Sequence, residues 1–402
     1  MTSFLQILLV GVALATFLAP GPATAQDAIK VGIVLPLTGD QAKFGEIEKL
    51  SFYLALEEIN AAGGIKGKKL QFLFADDTGN PEVGRTVMEK LIKKDKVVML
   101  GGGYASAVTY AMAGVAQQNR IPFLINTGSA DVITEKGYDY IFRLNPTVSD
   151  YTSGLESFLT AVVKPKNVVI LHESSLFGAE GAKAFKNTCE KLGIKVLMVE
   201  GYEGWFRAFD FQPLLMRVKQ ANPDLVYMIS YLRDATLLMQ LAREMKLTPK
   251  LFVGGAAGFT LPEFAQEAGK AAEKVISVTL WHQSLPIPGA REYFDKFKAT
   301  YQRDTEYHGA EAYAAAYVMT DVLKRAKSLA PEDIKQALKE TDMQTVFGPV
   351  KFVSYGKMTN QNRLNTYVVQ WQEGKLRLIW PADLAQAKYV YPVDWLKEWG
   401  FK

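Results

Sequence analysis

Short apolar runs alternate with amphipathic stretches along the first part of the chain. Ile29–Leu35 is a mostly apolar run of strand length. Glu46–Ala62 carries apolar residues at helical spacing and is followed by Gly63 and Gly64, which are typical of a helix end. The same order continues with the predicted strand Leu70–Ala75, helix Val83–Lys94, strand Val97–Leu100, helix Ala105–Gln118 and strand Ile121–Ile125. This order predicts a mostly parallel sheet with helices on both faces.

The alternation starts again in the middle of the chain. The predicted elements there are strand Val168–Leu171, helix Gly181–Leu192, strand Val196–Val199, helix Phe211–Gln220, strand Leu225–Ile229, helix Ala235–Met245, strand Leu251–Val253 and strand Val275–Leu280. Two long helices, Ala290–Tyr301 and Ala310–Ala326, and a helix from Pro331 follow, and Val350–Val353 and Tyr367–Trp371 predict a small antiparallel addition. Two successive α/β units predict two similar lobes with a cleft between them.

The composition agrees with two lobes and excludes several kinds of partner. The chain has 402 residues, of which 49% are apolar. A single compact core usually serves a shorter chain, so this length indicates two domains or lobes. The 46 basic and 42 acidic residues leave a net charge of +4, too mild to indicate nucleic acid or an anionic membrane surface as a partner. The single cysteine, Cys189, allows no internal disulfide, so stability must come from packing.

The N-terminus has the pattern of a secretory signal peptide. Phe4–Phe17 is apolar and uncharged, and Ala23-Thr24-Ala25 has the small-x-small spacing of a signal-peptidase site. We therefore expect cleavage after Ala25 and a periplasmic mature protein. Residues 1–25 contain no Lys or Arg, which departs from the usual basic start. A membrane anchor is the alternative, but the apolar run is shorter than the ~20 residues that a spanning helix needs.

The residues that could perform chemistry form no catalytic or metal motif. The histidines His172, His282 and His308 belong to no His-Glu-x-x-His pattern, and no Gly-x-Ser-x-Gly elbow occurs. His172–Ser175 combines acid, base and nucleophile types, but adjacent residues on an extended loop point apart. Asp76–Asp77 follows a predicted strand and is typical of loop capping. We therefore predict no catalytic residue, no metal ligand and no cofactor.

Small polar residues follow two neighbouring strands of the first predicted sheet. Gly101–Ser106 joins a strand to a helix, where glycine lets the backbone approach a ligand and the helix start offers free N–H groups. Asn126–Ala130 follows the next strand. Because ligands of open parallel sheets collect at the carboxyl ends of strands, the two segments predict a carboxylate cradle. The alternative for the first segment is an ordinary strand-to-helix turn.

An ordered set of short motifs covers essentially all of the chain after residue 26. The motifs are Val31–Gly39, Phe44–Gly45, Glu58–Ile65 with Gly67, Asp76–Asp77, Gly101–Gly102, Ile121–Pro122, Ser129–Ala130, Ile141–Arg143, Asp210–Phe211, Pro223–Asp224 and Thr345–Val350. On these residues the chain resembles the type I periplasmic binding proteins of branched-chain amino-acid ABC transporters, the leucine/isoleucine/valine-binding class. The specificity of the resemblance comes from the order of the set.

The resemblance implies an α/β fold of two doubly wound parallel-sheet lobes joined by three crossover strands, the type I periplasmic binding fold. Lobe one would comprise residues 27–145 plus 280–347, and lobe two residues 146–279 plus 348–402. The crossing strands would lie near Arg143–Pro146, Val278–His282 and Thr345–Pro349. A ligand would bind in the cleft, and hinge closure would bury it.

The resemblance also implies a set of ligand-binding residues. In the family, the first lobe holds the ligand carboxylate with backbone amides and hydroxyls, and the matching positions are Tyr104, Ala105, Ser106, Thr127, Gly128 and Ser129. Aromatic positions of the family match Phe44 in the first loop and Phe177 and Tyr231 in the second lobe. Ordinary packing is the alternative for each aromatic residue. The acidic residue that pairs with the ammonium group in amino-acid binders matches Ala256.

The missing carboxylate at Ala256 changes the expected ligand. A buried ammonium without a counter-charge is costly, so a standard aliphatic amino acid is disfavoured. An organic acid, an aromatic acid or an amide is favoured instead. Such a pocket could be lined by Tyr202, Trp205, Phe206 and Trp281, although helix or sheet packing explains them equally well.

The sequence therefore predicts a non-enzymatic, monomeric substrate-binding protein of an ABC importer. It would capture a small carboxylate-bearing solute, pass it to a permease in the inner membrane, and bind no nucleic acid. One alternative is a ligand sensor of the same fold that controls a regulator or receptor, which the exported, unanchored form disfavours. The other is a secreted hydrolase, which needs a nucleophile–base pair or a metal in the cleft.

Overall fold

Two seven-stranded sheets organise the protein. The structure, a computed structural model, describes residues 28–203 and 210–401. The predicted signal peptide with its cleavage site after Ala25 lies outside the described residues, as do Trp205 and Phe206. The strands are β1 (Ile29–Leu35), β2 (Leu70–Asp76), β3 (Met99–Gly102), β4 (Phe123–Ile125), β5 (Ile141–Arg143), β6 (Asn167–Glu173), β7 (Lys195–Tyr202), β8 (Leu225–Ile229), β9 (Leu251–Gly254), β10 (Ile276–Thr279), β11 (Asp342–Thr345), β12 (Gly348–Lys351), β13 (Val353–Tyr355), β14 (Met358–Gln361), β15 (Tyr367–Gln372) and β16 (Lys375–Trp380).

Helices pack around these sheets and connect their strands. The α-helices are α1 (Ala42–Ala61), α2 (Pro81–Lys93), α3 (Ser106–Gln118), α4 (Val132–Glu135), α5 (Thr152–Phe158), α6 (Leu176–Leu192), α7 (Gln212–Ala221), α8 (Leu232–Glu244), α9 (Pro262–Ala268), α10 (Ala290–Tyr301), α11 (Tyr307–Arg325), α12 (Pro331–Lys339) and α13 (Trp395–Glu398). None of the helices within the described ranges is both long enough and apolar enough to cross a membrane.

Both sheets are built on the same plan. The first has the strand order β13-β14-β5-β4-β3-β1-β2, and the second has the order β16-β15-β10-β9-β8-β6-β7. In each, five parallel strands follow the order 2-1-3-4-5, and an antiparallel pair completes the edge. In such a sheet the connections reverse direction beside the first strand, so ligands bind at the carboxyl ends there. The predicted fold class of two doubly wound parallel-sheet lobes is confirmed.

The apolar runs of the sequence become strands because both faces of each sheet are covered. Every residue of β8 is buried, and Val168 to Leu171 in β6 have no exposed surface. Parallel strands covered by helices on both faces lack the polar alternation of half-exposed strands. The predicted strand Leu225–Ile229 and the predicted helix Ala290–Tyr301 have the same bounds in the structure.

The C-terminal part differs from the predicted division into lobes. Residues 348–402 were expected in lobe two, but β14 pairs with β5 of the first sheet, and β13 pairs with β14. The third connection between the sheets is therefore 362–366, between β14 and β15, and the prediction at Thr345–Pro349 is corrected. Thr345–Pro349 instead spans the turn of the hairpin β11–β12. The first and second connections are 144–151 and 280–289.

Candidate functional site

The carboxyl ends of the strands in the two sheets face one another across a cleft. From the first lobe, the segments after β3 and β4 and the start of α11 reach the cleft, and from the second lobe the segments after β6, β8 and β9 do so. A small cavity at the centre is lined by Tyr104, Ser106, Thr127, Ser129, Tyr151, Phe177, Tyr231, Ala257, Tyr307 and His308. The cavity measures about 20 Å³, room for about one water molecule, so this is a closed form of the cleft.

Most of the residues implied by the resemblance lie at this cavity, and four lie beside it. Tyr104, Ser106, Thr127, Ser129, Phe177 and Tyr231 are in the lining. Phe44 packs behind Tyr104 with ring centroids 4.6 Å apart. Ala105, Gly128 and Ala256 are neighbours in sequence of lining residues, and Ala257 occupies the place expected of Ala256.

The turn between β3 and α3 depends on glycine. Gly102 and Gly103 have φ of +98° and +85°, a region that residues with a Cβ rarely adopt. A Cβ at Gly102 would also lie 2.2 Å from the Val34 carbonyl oxygen. Because these glycines let the chain turn sharply, α3 starts at the cavity, and the first N–H groups of a helix have no acceptor within it.

Ser106 joins the two predicted segments of the first lobe. Its Oγ accepts the backbone N–H of Ser129 at 3.2 Å and that of Ala130 at 3.1 Å. Because the oxygen accepts both amides, the hydroxyl hydrogen is left for an acceptor in the cavity. The family pattern implied amides at this position, whereas here the Ser129 amide is already occupied.

A buried arginine supports the segment after β4 from behind. The Arg143 guanidinium donates to the carbonyl oxygens of Ala130 at 2.6 Å and Gly128 at 3.2 Å, and to Gln361 Oε1 at 2.6 Å. Burial lowers the pKa of Arg143 to about 10, which leaves it charged at neutral pH. Its network fixes the floor of the first lobe without reaching the cavity.

Two buried carboxyl groups lie behind Thr127. The Thr127 Oγ1 is 2.7 Å from Glu48 Oε1 and 3.0 Å from Glu311 Oε2. One hydroxyl has one hydrogen, so a carboxyl group must donate one of these bonds. Burial raises the pKa of Glu48 to about 8 and that of Glu311 well above its usual range. The hydroxyl of Thr127 is thus engaged behind the cavity wall, and burial favours the protonated form of both carboxyl groups.

Two buried polar atoms at the cavity have no hydrogen-bond partner among the described residues. They are Tyr104 Oη and His308 Nε2. The other nitrogen of the imidazole, Nδ1, is 2.8 Å from Glu306 Oε1. Leaving a buried polar atom unpaired costs about 1–3 kcal/mol, so two such atoms at one cavity point to a polar ligand group.

Aromatic rings form the rest of the wall. Phe177 and Tyr231 of the second lobe have centroids 5.7 Å apart, and Tyr307 stacks on His308 at 3.9 Å. Tyr151 lies on the first connection between the lobes, and its ring packs edge-to-face on that of Phe177 with centroids 6.5 Å apart. The walls of the cavity are therefore aromatic on both sides of the cleft.

Sequence reasoning missed four of the lining residues. Tyr151 lies on a connection and Ala257 has no side chain that suggests binding. His308 belongs to no metal motif in the sequence, and Tyr307 lies outside the predicted helix Ala310–Ala326, whereas α11 starts at Tyr307. A Tyr-His pair directly before an alanine-rich helix was the one available indication.

The candidate catalytic groups have structural roles. Glu173 accepts the N–H groups of Ser175 at 2.7 Å and Gly178 at 2.7 Å, and so caps α6. Asp76 accepts the N–H groups of Leu37 and Thr78, both at 2.8 Å. No cluster of His, Cys, Asp or Glu within the described ranges could hold a metal ion.

Comparison with known proteins agrees with this architecture. The family model described as "Periplasmic binding protein" matches residues 28–375. The chain belongs to the periplasmic binding protein family. Among curated members it is 27% identical over 399 residues to Leu/Ile/Val-binding protein homolog 7 of Brucella melitensis, with 96% of this chain and 99% of that protein covered.

Two solved periplasmic binding proteins have the same fold with different bound molecules. The branched-chain amino acid binding protein LivJ of Streptococcus pneumoniae, in complex with isoleucine, gives a TM-score of 0.80 at 24% identity and covers 91% of this chain and 100% of its own. A solute binding protein of R. palustris, in complex with benzoate, gives a TM-score of 0.78 at 20% identity, and the match covers 88% of this chain and 96% of that one. The resemblance in the sequence is thereby confirmed.

Proposed function

We propose that this periplasmic binding protein serves an ABC importer and captures an aromatic carboxylate between its lobes. The observation that carries the proposal is the aromatic cavity with its two unpaired polar atoms, Tyr104 Oη and His308 Nε2. Rings on both sides suit a planar ring, and the unpaired atoms suit its polar substituents.

The charge of the lining argues against an amino acid. The described residues that line the cavity include no carboxylate, and Ala257 occupies the region where amino-acid binders of the family carry one. Glu48 and Glu311 lie behind Thr127, where burial raises the pKa of both and favours their neutral form. A ligand ammonium would be buried here without a counter-charge.

The start of α3 supplies the carboxylate end of the proposed site. The Ser106 hydroxyl hydrogen is available, and the first N–H groups of the helix have no acceptor within it. Tyr104 Oη lies at the same turn. We propose that the ligand carboxylate accepts from these donors while its ring lies between Phe177, Tyr231 and Tyr307. These side chains must move apart to admit the ring, because the cavity in this structure holds only about one water molecule.

The cellular role follows from the family. We propose that residues 1–25 are removed, that the mature protein is a periplasmic monomer, and that its closed form delivers the solute to an inner-membrane ABC permease. No chemical step is proposed. In cells lacking this protein, uptake of radiolabelled benzoate at micromolar concentration should fall, and the gene supplied in trans should restore it.

A thermal-shift panel tests the ligand class. Benzoate, 4-hydroxybenzoate, isoleucine and leucine are compared with the wild type, with Tyr104→Phe and with Tyr227→Phe as a buried tyrosine outside the cavity. A ligand at 100 times its dissociation constant adds about 2.7 kcal/mol of stability. We expect the largest shift from an aromatic acid, a smaller one in Tyr104→Phe, and no change from Tyr227→Phe. A largest shift from leucine or isoleucine contradicts the proposal.

A further inference from the structure

We propose that Glu306 couples ligand contact to lobe closure: it orients His308 toward the ligand and accepts a hydrogen bond from Thr260 of the opposite lobe. The proposal has two halves. The ligand half, in which His308 meets the ligand, rests on the proposed function. The closure half, in which Glu306 bonds to Thr260 across the cleft, does not depend on which ligand binds. Glu306 would act as a positioning residue, because it is absent from the lining of the central cavity.

The two oxygens of Glu306 bond to different lobes. Oε1 accepts from the backbone N–H of His308 at 3.1 Å and lies 2.8 Å from His308 Nδ1. Oε2 accepts from the hydroxyl of Thr260 at 3.1 Å. Glu306 precedes α11 of the first lobe, and Thr260 follows the turn after β9 of the second. One nearly buried carboxyl group thus spans the cleft.

A second hydrogen bond joins the turn Ala257–Thr260 of the second lobe to the start of α11 in the first lobe. The N–H of Ala257 donates to Tyr307 Oη at 3.1 Å. The single hydroxyl hydrogen of Thr260 is shared between Glu306 Oε2 and the Ala257 carbonyl oxygen, which lies 3.0 Å from the hydroxyl. Adjacent residues of the first lobe, Glu306 and Tyr307, therefore hold both ends of one turn of the second lobe. These bonds link the two lobes, so opening the cleft would break them.

In this proposal the imidazole of His308, which Glu306 holds, contacts the ligand. Its Nδ1 is held by Glu306, its ring stacks on Tyr307 at 3.9 Å, and its Nε2 is buried and unpaired at the cavity. A ligand group that bonds to Nε2 fixes the ring and, through Nδ1, the position of the carboxyl group. Because coupling free energy is reciprocal, a bond from Thr260 to that carboxyl group also strengthens ligand binding.

The test uses a threonine that does not touch the central cavity. Thr260→Val removes the hydroxyl and keeps the shape, Thr260→Ser keeps the hydroxyl, and Thr320→Val is a control at a buried threonine within α11. Closure is measured in the unliganded protein as the rate at which a short bis-maleimide links Asp40→Cys to Arg233→Cys, since those side chains meet across the cleft at 3.4 Å. Cys189 is buried, so it does not compete.

We expect Thr260→Val to slow the linking roughly twofold to tenfold, as the loss of one hydrogen bond implies. Thr260→Ser and Thr320→Val should link at the wild-type rate. In a Glu306→Ala background, which removes the acceptor, Thr260→Val should slow linking far less than in the wild type, because the two residues share one contact. Equal rates in Thr260→Val and Thr260→Ser, or additive effects with Glu306→Ala, overturn the closure half.

Benzoate is the probe for the ligand half. In Thr260→Val we expect its dissociation, followed by stopped-flow fluorescence, to quicken by the same factor by which linking slows. Unchanged dissociation from a variant that links slowly overturns the coupling to the ligand. If benzoate does not bind the wild type, the proposed function fails, whereas the linking rates of the unliganded variants still decide the closure half.

Discussion

At the residue scale, the second lobe holds strained backbone beside the cavity. Ala256 has φ +67° and ψ −146°, and Ala257 has φ +48°. The first of these conformations is nearly restricted to glycine and costs about 1–3 kcal/mol in other residues. The tight turn is what brings the Ala257 N–H to Tyr307, so the strain is associated with a contact between the lobes.

Ala256→Gly should therefore leave the protein as stable as the wild type or up to about 1 kcal/mol more stable, because relief of strain offsets the lost methyl group and the added backbone freedom. Urea unfolding provides the measurement. The matched control is Ala315→Gly within α11, which is equally buried but helical and should cost about 2 kcal/mol. Equal losses in both variants contradict the assignment of strain to Ala256.

Glu48 should make stability depend on pH. Burial raises its pKa to about 8 from 4.5, so between these values the folded protein keeps a proton that the unfolded chain has lost. Stability then falls as pH rises through this window, by up to about 1.4 kcal/mol per pH unit from this group, and levels off above it. The nearby carboxyl groups of Glu306 and Asp77 add to the rise in the pKa of Glu48, and burial raises the pKa of Glu311 as well.

Glu48→Gln keeps the shape and the amide can still bond to Thr127, so it should lose less stability than the wild type between pH 5 and pH 8. Urea unfolding at both values measures this difference, and the exposed Glu190→Gln serves as control. An identical loss of stability in the wild type and Glu48→Gln would show that Glu48 ionises normally in the folded protein.

At the element scale, the first turns of the helices position the site. The sequence predicted that these helices exist more accurately than it predicted the residues at which they start. Gly101–Ser106 indicated the start of α3 because glycines precede a helical repeat. The start of α6 was placed near Gly181, whereas the helix begins at Leu176. Gly178 lies within this first turn, and the cap comes from Glu173, two residues before the usual capping position, which a local pattern does not reveal.

Glu173→Ala should destabilise the second lobe by about 2 kcal/mol, because the N–H groups of the N-cap residue Ser175 and of Gly178 in the first turn of α6 lose their acceptor. Phe177 lies in this turn, so ligand affinity should fall as well. Chemical unfolding and a titration with benzoate measure the two effects. Asn80→Ala, which removes the cap of α2 far from the cavity, should cost about 1 kcal/mol without changing affinity.

At the scale of the whole molecule, ion pairs at the rim hold the lobes together. Arg303, before α11, bonds to Glu263 of α9 at 2.6 Å and to Glu46 of α1 at 3.3 Å. Arg233 of α8 lies 3.4 Å from Asp40 of the first lobe. The Arg303–Glu263 and Arg233–Asp40 pairs link the two lobes, so opening the cleft would break them, and they add to the closed side of the open–closed equilibrium.

Arg303→Ala should shift the equilibrium toward the open form and weaken ligand binding about fivefold, since a half-buried ion pair contributes about 1 kcal/mol. Calorimetric titration gives the affinity, and small-angle scattering gives the compactness. Arg291→Ala removes an exposed pair within α10 and should change neither quantity. Unaltered affinity in Arg303→Ala would mean that this pair does not contribute to closure.

The division into lobes shows where sequence reasoning reached its limit. Parallel strands with covered faces leave continuous apolar runs, so both sheets could be predicted from the sequence. The short strands β13 and β14 carry no such run, and their place beside β5 depends on the pairing of Gln361 with Arg143, which are far apart in sequence. For the same reason, the approach of His308 to Tyr104 could not be foreseen.

A crystal structure of the protein grown with benzoate tests the central claim most directly. The account predicts the ring between Phe177, Tyr231 and Tyr307, with the carboxylate at the start of α3 and an oxygen within hydrogen-bond distance of Tyr104 Oη or His308 Nε2. Benzoate found only outside the central cavity, or a cleft left empty at saturating concentration, would contradict it.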